Sequence, residues 1–218
     1  MSRAVGIKIC GLSEPEHVRA AVEAGADYVG FVFYGPSPRN VSIPVAQALA
    51  TQARGRSKVV ALVVDADDAL IDAINTGVKP DFFQAHGSET PERVAQITGR
   101  TGVPVIKAIK VRDASDVETA RAFADVAAMI LFDAKAPETL EGALPGGNGI
   151  SFDWTLLSAD GAPHDFMLSG GLDADNVARA IEMTGAPIVD VSSGVEEAPG
   201  RKDAAAIIKF IEAVRQRG

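Results

Sequence analysis

The sequence alternates along its length between short runs of β-branched or other apolar residues and longer stretches with the apolar spacing of amphipathic helices. This alternation is typical of βα units whose strands lie parallel in one sheet. The predicted strands are Val5–Cys10, Asp27–Phe33, Lys58–Val64, Asp81–Ala85, Val103–Ile109, Ala127–Asp133, Asp165–Leu168 and Ile188–Val191. The predicted helices are Glu14–Ala24, Ile43–Ala53, Asp67–Asn75, Pro91–Gly99, Ser115–Ala124, Asp173–Thr184 and Asp203–Arg215, with a short one at Phe152–Leu157.

Four of these helices end in the same way, with a glycine between the helix and the next strand. These glycines are Gly25, Gly77, Gly102 and Gly185. Glycine suits the left-handed position after a helix, so we expect that conformation at all four. The intervals between the glycines fit units of about 25–28 residues, the size of one βα unit. Eight such units account for the 218 residues. We therefore predict an α/β fold, a (β/α)8 TIM barrel with residues 1–218 as a single catalytic domain, rather than an open doubly wound sheet.

Composition and charge limit the partners. The formal net charge is −8, and no block of Lys and Arg offers the basic face that nucleic acid or an anionic membrane requires. The longest apolar runs, such as Val126–Phe132, are too short to span a bilayer, and the first residues show no signal-peptide pattern. The single cysteine, Cys10, fits a reducing compartment. We expect a cytoplasmic protein with a small-molecule partner, and the sequence leaves monomer or homodimer open.

The first strand ends in a candidate base. Alternation places Lys8 and Cys10 on one face and Ile7 and Ile9 on the other, so the first pair should point into the barrel. Active sites of such barrels lie at the C-terminal ends of the strands, where Cys10 stands. A lone buried cysteine is more commonly a small hydrophobic residue, and that alternative stays open. A nearby Lys8 ammonium is expected to lower the pKa of the thiol.

Two further side chains stand where strands end. Asp133 ends the sixth predicted strand, and the long loop 134–151 follows it instead of a helix. A carboxyl group facing Cys10 across the barrel mouth would form an acid–base pair, whereas a helix cap or loop carboxylate is the alternative. Arg39 lies in a proline-stiffened loop after the second strand. Most loop arginines are solvated, and that alternative stays open, but the stiffened loop makes an oriented, carboxylate-binding arginine more credible.

A phosphate site is predicted from two loops. Gly170 and Gly171 follow the seventh strand, and Ser193 and Gly194 follow the eighth. Glycines at a strand-to-helix junction let backbone N–H groups approach an anion. Barrels frequently bind phosphate between these two loops, although two ordinary turns are the alternative.

The histidines do not indicate a metal centre. His17, His86 and His164 show no paired ligand spacing, and only His86 stands at the end of a strand. One such histidine does not make a transition-metal site. We therefore predict no metal centre.

Taken in order, these motifs closely resemble the phosphoribosylanthranilate isomerase family of tryptophan biosynthesis. The matching segments are KICGL (8–12), GFVF (30–33), SPR (37–39), QAHG (84–87), FD (132–133), GGNG (146–149), FDW (152–154), LSGGL (168–172), VDVSSGVE (189–196) and PGRKD (199–203). Ala85 stands where the family usually has leucine, and Asn148 where threonine is common, and neither is a proposed catalytic position.

The resemblance implies an Amadori rearrangement of N-(5-phosphoribosyl)anthranilate to 1-(2-carboxyphenylamino)-1-deoxyribulose 5-phosphate by acid–base chemistry that needs neither a metal nor a cofactor. It implies that Cys10 is the general base, Asp133 the general acid and Arg39 the ligand of the anthranilate carboxylate. The rivals are another sugar-phosphate barrel and a non-catalytic phosphate-binding barrel. The histidine-pathway isomerase should carry aspartate where Cys10 stands, and a pentose-phosphate epimerase needs a histidine–carboxylate metal cage.

Overall fold

A computed structural model describes residues 4–135, 146–147, 149, 151–157 and 165–216. Eight parallel strands close into a barrel in sequence order, which confirms the predicted (β/α)8 fold. They are β1 (Gly6–Cys10), β2 (Tyr28–Phe33), β3 (Lys58–Val63), β4 (Phe82–Ala85), β5 (Val105–Val111), β6 (Met129–Ala134), β7 (Phe166–Leu168) and β8 (Ile188–Val191). A small antiparallel ribbon follows, made of β9 (Glu196–Ala198) and β10 (Arg201–Lys202).

Helices surround the barrel. They are α1 (Pro15–Ala24), α2 (Ile43–Ala53), α3 (Asp68–Gly77), α4 (Pro91–Thr101), α5 (Ala114–Glu118), α6 (Val177–Thr184) and α7 (Ala204–Arg215). Within the described ranges, no helix combines the length and apolarity needed to cross a membrane.

Three predicted helices differ from the observed ones. The prediction for Ser115–Ala124 was wrong in its second half, where the chain forms a 3-10 helix, Thr119–Phe123. The short helix at Phe152–Leu157 is a 3-10 helix over its last four residues. The helix expected from Asp173 begins later, at Val177, because the Asp173 carboxylate accepts hydrogen bonds from the backbone N–H groups of Asp175 and Asn176 and so stabilises a turn.

Three of the four helix-ending glycines have the predicted left-handed backbone, with φ of 95° at Gly25, 70° at Gly102 and 65° at Gly185. The prediction was wrong at Gly77, which is the last residue of α3 and has no positive φ. A Cβ on Gly77 would lie 2.5 Å from Ile43 Cγ2. Glycine is therefore needed there for close packing of α3 on α2, not for a left-handed turn.

Strand alternation divides the apolar residues into two layers. Ile7 and Ile9 join the large cluster between the barrel and its helices, whereas Ile106, Leu131 and Met167 belong to a smaller cluster on the other face of their strands, inside the barrel. Lys8 and Cys10 alternate with the first pair and point inward, as predicted. Toward the C-terminal ends of the strands the interior opens into a cavity.

Candidate active site

The cavity at the C-terminal ends of the strands, together with the open space at its mouth, has a volume of about 720 Å³. The residues predicted for the site that line it are Cys10, Arg39, Asp133, Gly170, Gly171 and Ser193. Gly194 packs against the loop after β7, where an added Cβ would lie only 1.9 Å from the Leu172 carbonyl oxygen. The fold therefore brings the predicted groups together from β1, β6 and the loops after β2, β7 and β8.

The Cys10 side of the cavity rests on a buried ion pair. Lys8 Nζ donates to Asp190 Oδ1 at 2.7 Å, and the Ser169 hydroxyl donates to Asp190 Oδ2 at 3.0 Å. Lys8 and Asp190 are partners in the β1–β8 register. Burial by itself would lower the pKa of Lys8, but attraction by Asp190 and Cys10 raises it overall, so the side chain remains a cation.

The thiol itself does not have the predicted pKa. Burial raises the pKa of the Cys10 thiol, and although Lys8 opposes that shift, the net direction is upward. The expectation that Lys8 lowers this pKa overall was wrong. The physical reason is that Cys10 is 4% exposed and that the negative charge of Asp190 offsets part of the lysine's effect.

Arg39 is held rigidly in the cavity wall. Its Nε and Nη2 donate to the two carboxylate oxygens of Glu196 at 2.7 and 2.8 Å, and Nη2 also donates to the Gly147 carbonyl oxygen at 3.1 Å. The side chain is 5% exposed, so this arginine is not a solvated loop residue. The fork-to-fork pairing fixes the plane of the guanidinium.

Glu196 and Lys202 are functional candidates that the residue-by-residue reasoning missed. Lys202 Nζ donates to Glu196 Oε1 at 2.7 Å and to the Ser192 carbonyl oxygen at 2.9 Å. Burial lowers the pKa of Lys202 to about 8, although Glu196 opposes the shift. Burial would raise the pKa of Glu196, but hydrogen bonds from Arg39 and attraction by Lys202 lower it overall. Their only sequence signal was membership in the segments 189–196 and 199–203 that resemble the family.

The Asp133 side of the cavity is built from an imidazole, a side-chain amide and a backbone N–H. Asp133 Oδ1 accepts from the Ala134 backbone N–H at 2.9 Å, and Oδ2 lies 3.2 Å from His86 Nε2. Gln84 Nε2 lies 2.8 Å from His86 Nδ1. A Cβ on Gly146 would lie 2.6 Å from His86 Nε2 and 2.7 Å from Asp133 Oδ2. Glycine at this position therefore lets the backbone cover the His86–Asp133 contact.

A second buried ion pair fixes the turn that follows His86. Lys107 Nζ donates to Glu89 Oε2 and to the Gly87 carbonyl oxygen, both at 2.8 Å. Glu89 also accepts from the backbone N–H groups of Gly87 and Asp65. None of these four residues lines the cavity. The pair therefore shapes the loop that carries His86 without placing a charge in the site.

The predicted phosphate loop after β7 has a backbone conformation suited to glycine. Gly170 and Gly171 have φ of 90° and 65°. A Cβ on Gly170 would lie 2.6 Å from the Ala134 backbone nitrogen, so the loop after β7 packs directly on the end of β6. Asn176 Nδ2 donates to the Gly171 carbonyl oxygen at 2.9 Å, which holds that carbonyl toward the start of α6.

Metal ligands are not assembled at the cavity from the part of the chain that the structure describes. There, the cluster of His, Cys, Asp and Glu with suitable spacing is Glu14, Glu16 and His17, at the start of α1. None of the three lines the cavity.

Comparisons with known proteins agree with this architecture. The family model described as N-(5'phosphoribosyl)anthranilate (PRA) isomerase matches residues 7–213. The N-(5'-phosphoribosyl)anthranilate isomerase of Parvibaculum lavamentivorans is 50% identical over 212 residues, which cover 97% of this chain and 99% of that protein. The crystal structure of phosphoribosyl anthranilate isomerase from Thermotoga maritima matches with a TM-score of 0.86 and 36% identity, covering 97% of this chain and 99% of that one.

A further crystal structure, of a phosphoribosyl anthranilate isomerase in complex with reduced 1-(o-carboxyphenylamino)-1-deoxyribulose 5-phosphate, matches with a TM-score of 0.83 and 34% identity, again over 97% of this chain and 99% of that one. The family model and the full-length relatives point to one conclusion: the chain belongs to the N-(5'-phosphoribosyl)anthranilate isomerase family.

Proposed function

We propose that Cys10 and Asp133 catalyse the reaction of this family as general base and general acid, within one catalytic domain of residues 1–218 and with neither metal nor cofactor. The reaction converts N-(5-phosphoribosyl)anthranilate into 1-(2-carboxyphenylamino)-1-deoxyribulose 5-phosphate. The observation that carries the proposal is that both side chains, almost fully buried on strands β1 and β6, line one cavity.

Each step needs only these two groups. Asp133 donates its proton to the furanose ring oxygen, the C–O bond breaks, and the nitrogen lone pair forms a cationic C=N bond. The Cys10 thiolate then removes the proton from the adjacent sugar carbon, and the electrons of that C–H bond neutralise the iminium to give an enolamine. Tautomerisation of the enolamine gives the ketone. The iminium is the electron sink, which is why no metal is required.

Arg39 is proposed to bind the anthranilate carboxylate. Its Nε and Nη2 are engaged by Glu196, whereas Nη1 donates to no acceptor among the described residues. Nη1 is therefore the donor available to an incoming carboxylate in the cavity. The Glu196 pairing keeps the guanidinium in place before the substrate arrives, so little ordering is needed on binding.

The 5-phosphate is proposed to bind at Gly170, Gly171, Ser193 and Gly194. Three of these residues line the cavity, and the fourth joins the two loops by packing against Leu172. The loops after strands seven and eight are the place where barrels of this kind hold phosphate. The free thiol of Cys10 fits a reducing compartment, so we propose that the protein acts in the cytoplasm. One chain supplies every proposed group, so a monomer and a homodimer would work alike.

Turnover of two conservative variants tests the proposal. Cys10→Ala and Asp133→Asn should each lower kcat by at least the roughly 10²–10⁴-fold typical of acid–base catalysis, with KM little changed. The assay follows the loss of anthranilate-type fluorescence on freshly made substrate, with circular dichroism and melting as folding controls. Val32→Ala, which trims a cavity-lining neighbour of Cys10, is the matched control and should cost far less. A folded Cys10→Ala protein that keeps a third of wild-type kcat would exclude the cysteine as base.

A further inference from the structure

Lys202 lies behind the cavity wall and contacts two of its parts at once. Its Nζ donates to Glu196 Oε1 at 2.7 Å, to the Ser192 carbonyl oxygen at 2.9 Å and to the Ser192 hydroxyl at 3.1 Å. These contacts use all three donors of the ammonium group. The side chain is fully buried, and neither Lys202 nor Glu196 lines the cavity. Any effect of the lysine on the substrate must therefore pass through its partners.

The first partner connects Lys202 to the arginine. Glu196 accepts from Arg39 Nε and Nη2 through both carboxylate oxygens, and Oε1 also accepts from Lys202. Because the pKa of Lys202 is about 8, the side chain is mainly protonated at neutral pH. Two cations thus share one carboxylate, and the cluster keeps one positive charge that is not neutralised. Without the lysine, Glu196 would neutralise Arg39 alone. The excess charge favours an anion at Nη1, the part of the guanidinium that Glu196 leaves free.

The second partner connects Lys202 to the predicted phosphate loop after β8. The peptide between Ser192 and Ser193 is trans, so its C=O and N–H groups point in opposite directions. Lys202 holds the C=O on the buried side, and Ser193 lines the cavity. Counting the described residues only, no backbone carbonyl oxygen accepts from the Ser193 N–H. The lysine therefore fixes a peptide whose N–H is available to an anion in the cavity.

Close packing brings the two partners together. A Cβ on Gly11 would lie 2.6 Å from Arg39 Cδ and 3.2 Å from Ser192 Oγ, so glycine in the loop after β1 lets both side chains lie against it. A Cβ on Gly200 would lie 2.6 Å from the Pro38 carbonyl oxygen, so the turn of the β9–β10 ribbon packs on the loop that carries the arginine. That loop thus packs against the ribbon and, across Gly11, against the loop after β8.

We propose that Lys202 is a positioning residue that couples the two ends of the substrate site. Through Glu196 it keeps the Arg39 guanidinium oriented and only partly neutralised. Through Ser192 it keeps the Ser193 N–H available to the 5-phosphate. The inference rests on the proposed binding roles of Arg39 and Ser193, and it concerns affinity rather than the proton transfers. Removal of this one buried side chain should weaken the binding of both ends of the substrate.

Titration calorimetry with two fragments of the substrate tests the inference without turnover. Anthranilate carries the carboxylate and no phosphate, whereas ribose 5-phosphate carries the phosphate and no carboxylate. In Lys202→Met we expect the Kd of each fragment to rise by about threefold or more near pH 7, the effect of losing one supporting hydrogen bond. Arg39→Ala should weaken anthranilate alone, and Lys209→Met, which removes an exposed lysine, should weaken neither. A rise for only one fragment in Lys202→Met, or for neither, would overturn the inference.

Glu196→Gln supplies a second test if Lys202→Met does not fold. The amide accepts through one oxygen only, so it cannot hold the guanidinium at both positions, whereas the contacts between Lys202 and Ser192 remain. The Kd of anthranilate should rise by about threefold or more and that of ribose 5-phosphate should stay unchanged. Equal rises for the two fragments, or no rise for either, would also overturn the inference.

The substrate itself adds a kinetic test. Lys202→Met should raise KM by roughly three- to tenfold near pH 7 with kcat less affected, because the lysine acts on binding. A fall in kcat with KM unchanged would contradict a positioning role in binding. Fragments that bind as expected to a wild-type protein that does not turn over the substrate would refute the proposed function alone.

Discussion

The two sides of the cavity are built differently although they serve one reaction. Around Cys10 the barrel buries formal charges within reach of the thiol, which are those of Lys8, Asp190 and Lys202. Around Asp133 the contacts within the described residues are the His86 imidazole and the Ala134 backbone N–H, and the Gln84 side-chain amide contacts the other nitrogen of His86. The ion pair on that side, Lys107–Glu89, lies behind the wall and outside the cavity lining.

The difference follows from what each group must do. A base has to become an anion, and nearby lysine ammonium groups favour the thiolate even though burial raises the pKa of Cys10 overall. An acid has to hold its proton, and a cation beside it would favour the carboxylate. Lys107 lies outside the cavity lining and shapes the turn after His86, so it supports this side of the cavity without placing its charge in the site. Each side thus has a buried lysine–carboxylate pair with a different role. Lys8–Asp190 acts on Cys10 by charge, whereas Lys107–Glu89 holds the backbone of the turn after His86.

The largest effects should come from breaking each ion pair. Lys8→Met leaves Asp190 buried without its cation, and Lys107→Met does the same to Glu89. Removing one partner of a buried pair costs about 3–5 kcal/mol, so both variants should lose that much free energy of unfolding in urea titrations. Of the two variants, only Lys8→Met should also raise the pKa of Cys10 further, since Lys8 acts on the thiol and Lys107 does not.

Lys58→Met is the control for that pair of variants. The Lys58–Asp81 contact is 3.1 Å long, but the lysine side chain is 60% exposed. Exposed pairs contribute about 0–1 kcal/mol, so the loss should stay in that range. An equal change in the pH dependence of kcat/KM for Lys8→Met and Lys107→Met would contradict the proposed difference between the two sides, because it would mean that both lysines act by charge.

Arg39→Ala should act mainly on substrate binding. It removes a charge-assisted contact worth on the order of 1.5–3 kcal/mol, which corresponds to a roughly ten- to hundredfold rise in KM with kcat less affected. The loss should shrink for a substrate analogue without the carboxylate. An unchanged KM would show that the arginine serves only to hold Glu196.

Lys202→Met should have a smaller effect that depends on pH. Because the pKa of Lys202 is about 8, its positive charge is present below that pH and is lost above it. The variant should therefore fall below wild-type kcat/KM by roughly three- to tenfold near pH 7 and approach it above about pH 9. Lys209→Met, which breaks only an exposed pair, should match the wild type throughout. A constant ratio between Lys202→Met and wild type across this range would indicate a structural role alone.

The smallest expected effect is that of a chelator. Neither side of the cavity offers a metal-ligand set among the described residues, so EDTA should leave kcat and KM unchanged. Loss of activity that zinc or manganese restores would contradict the metal-free mechanism.

Local rules predicted the barrel well because most of its strands and helices can be recognised from the apolar pattern of their own residues. The same rules were wrong at Gly77, where glycine serves packing against Ile43, a contact between segments far apart in sequence. They also placed Cys10 and Asp133 at strand ends, since that depends only on where a strand stops. The direction of the Cys10 pKa could not be predicted, because it depends on burial and on Asp190, which is 180 residues away along the chain.

The missed residues share one property. Their link to the proposed site depends on contacts between distant segments: His86 contacts Asp133 across 47 positions and Glu196 contacts Arg39 across 157. Gln84 and Lys202 reach the site through His86 and Glu196. A single histidine at a strand end carries no spacing signal, so His86 was considered only as a metal ligand. The ribbon β9–β10 is too short to be recognised as strands from its sequence.

The most direct test of the account is to titrate the thiol and the reaction in the same protein. The chain has one cysteine, so the ultraviolet absorbance of the thiolate, corrected with Cys10→Ala, reports on Cys10 alone. If Cys10 is the base, the rising limb of kcat/KM and the thiolate signal should share one midpoint, and that midpoint should lie above the ordinary pKa of cysteine. A kcat/KM that reaches its plateau while the thiol is still protonated would contradict the assignment of Cys10 as the base.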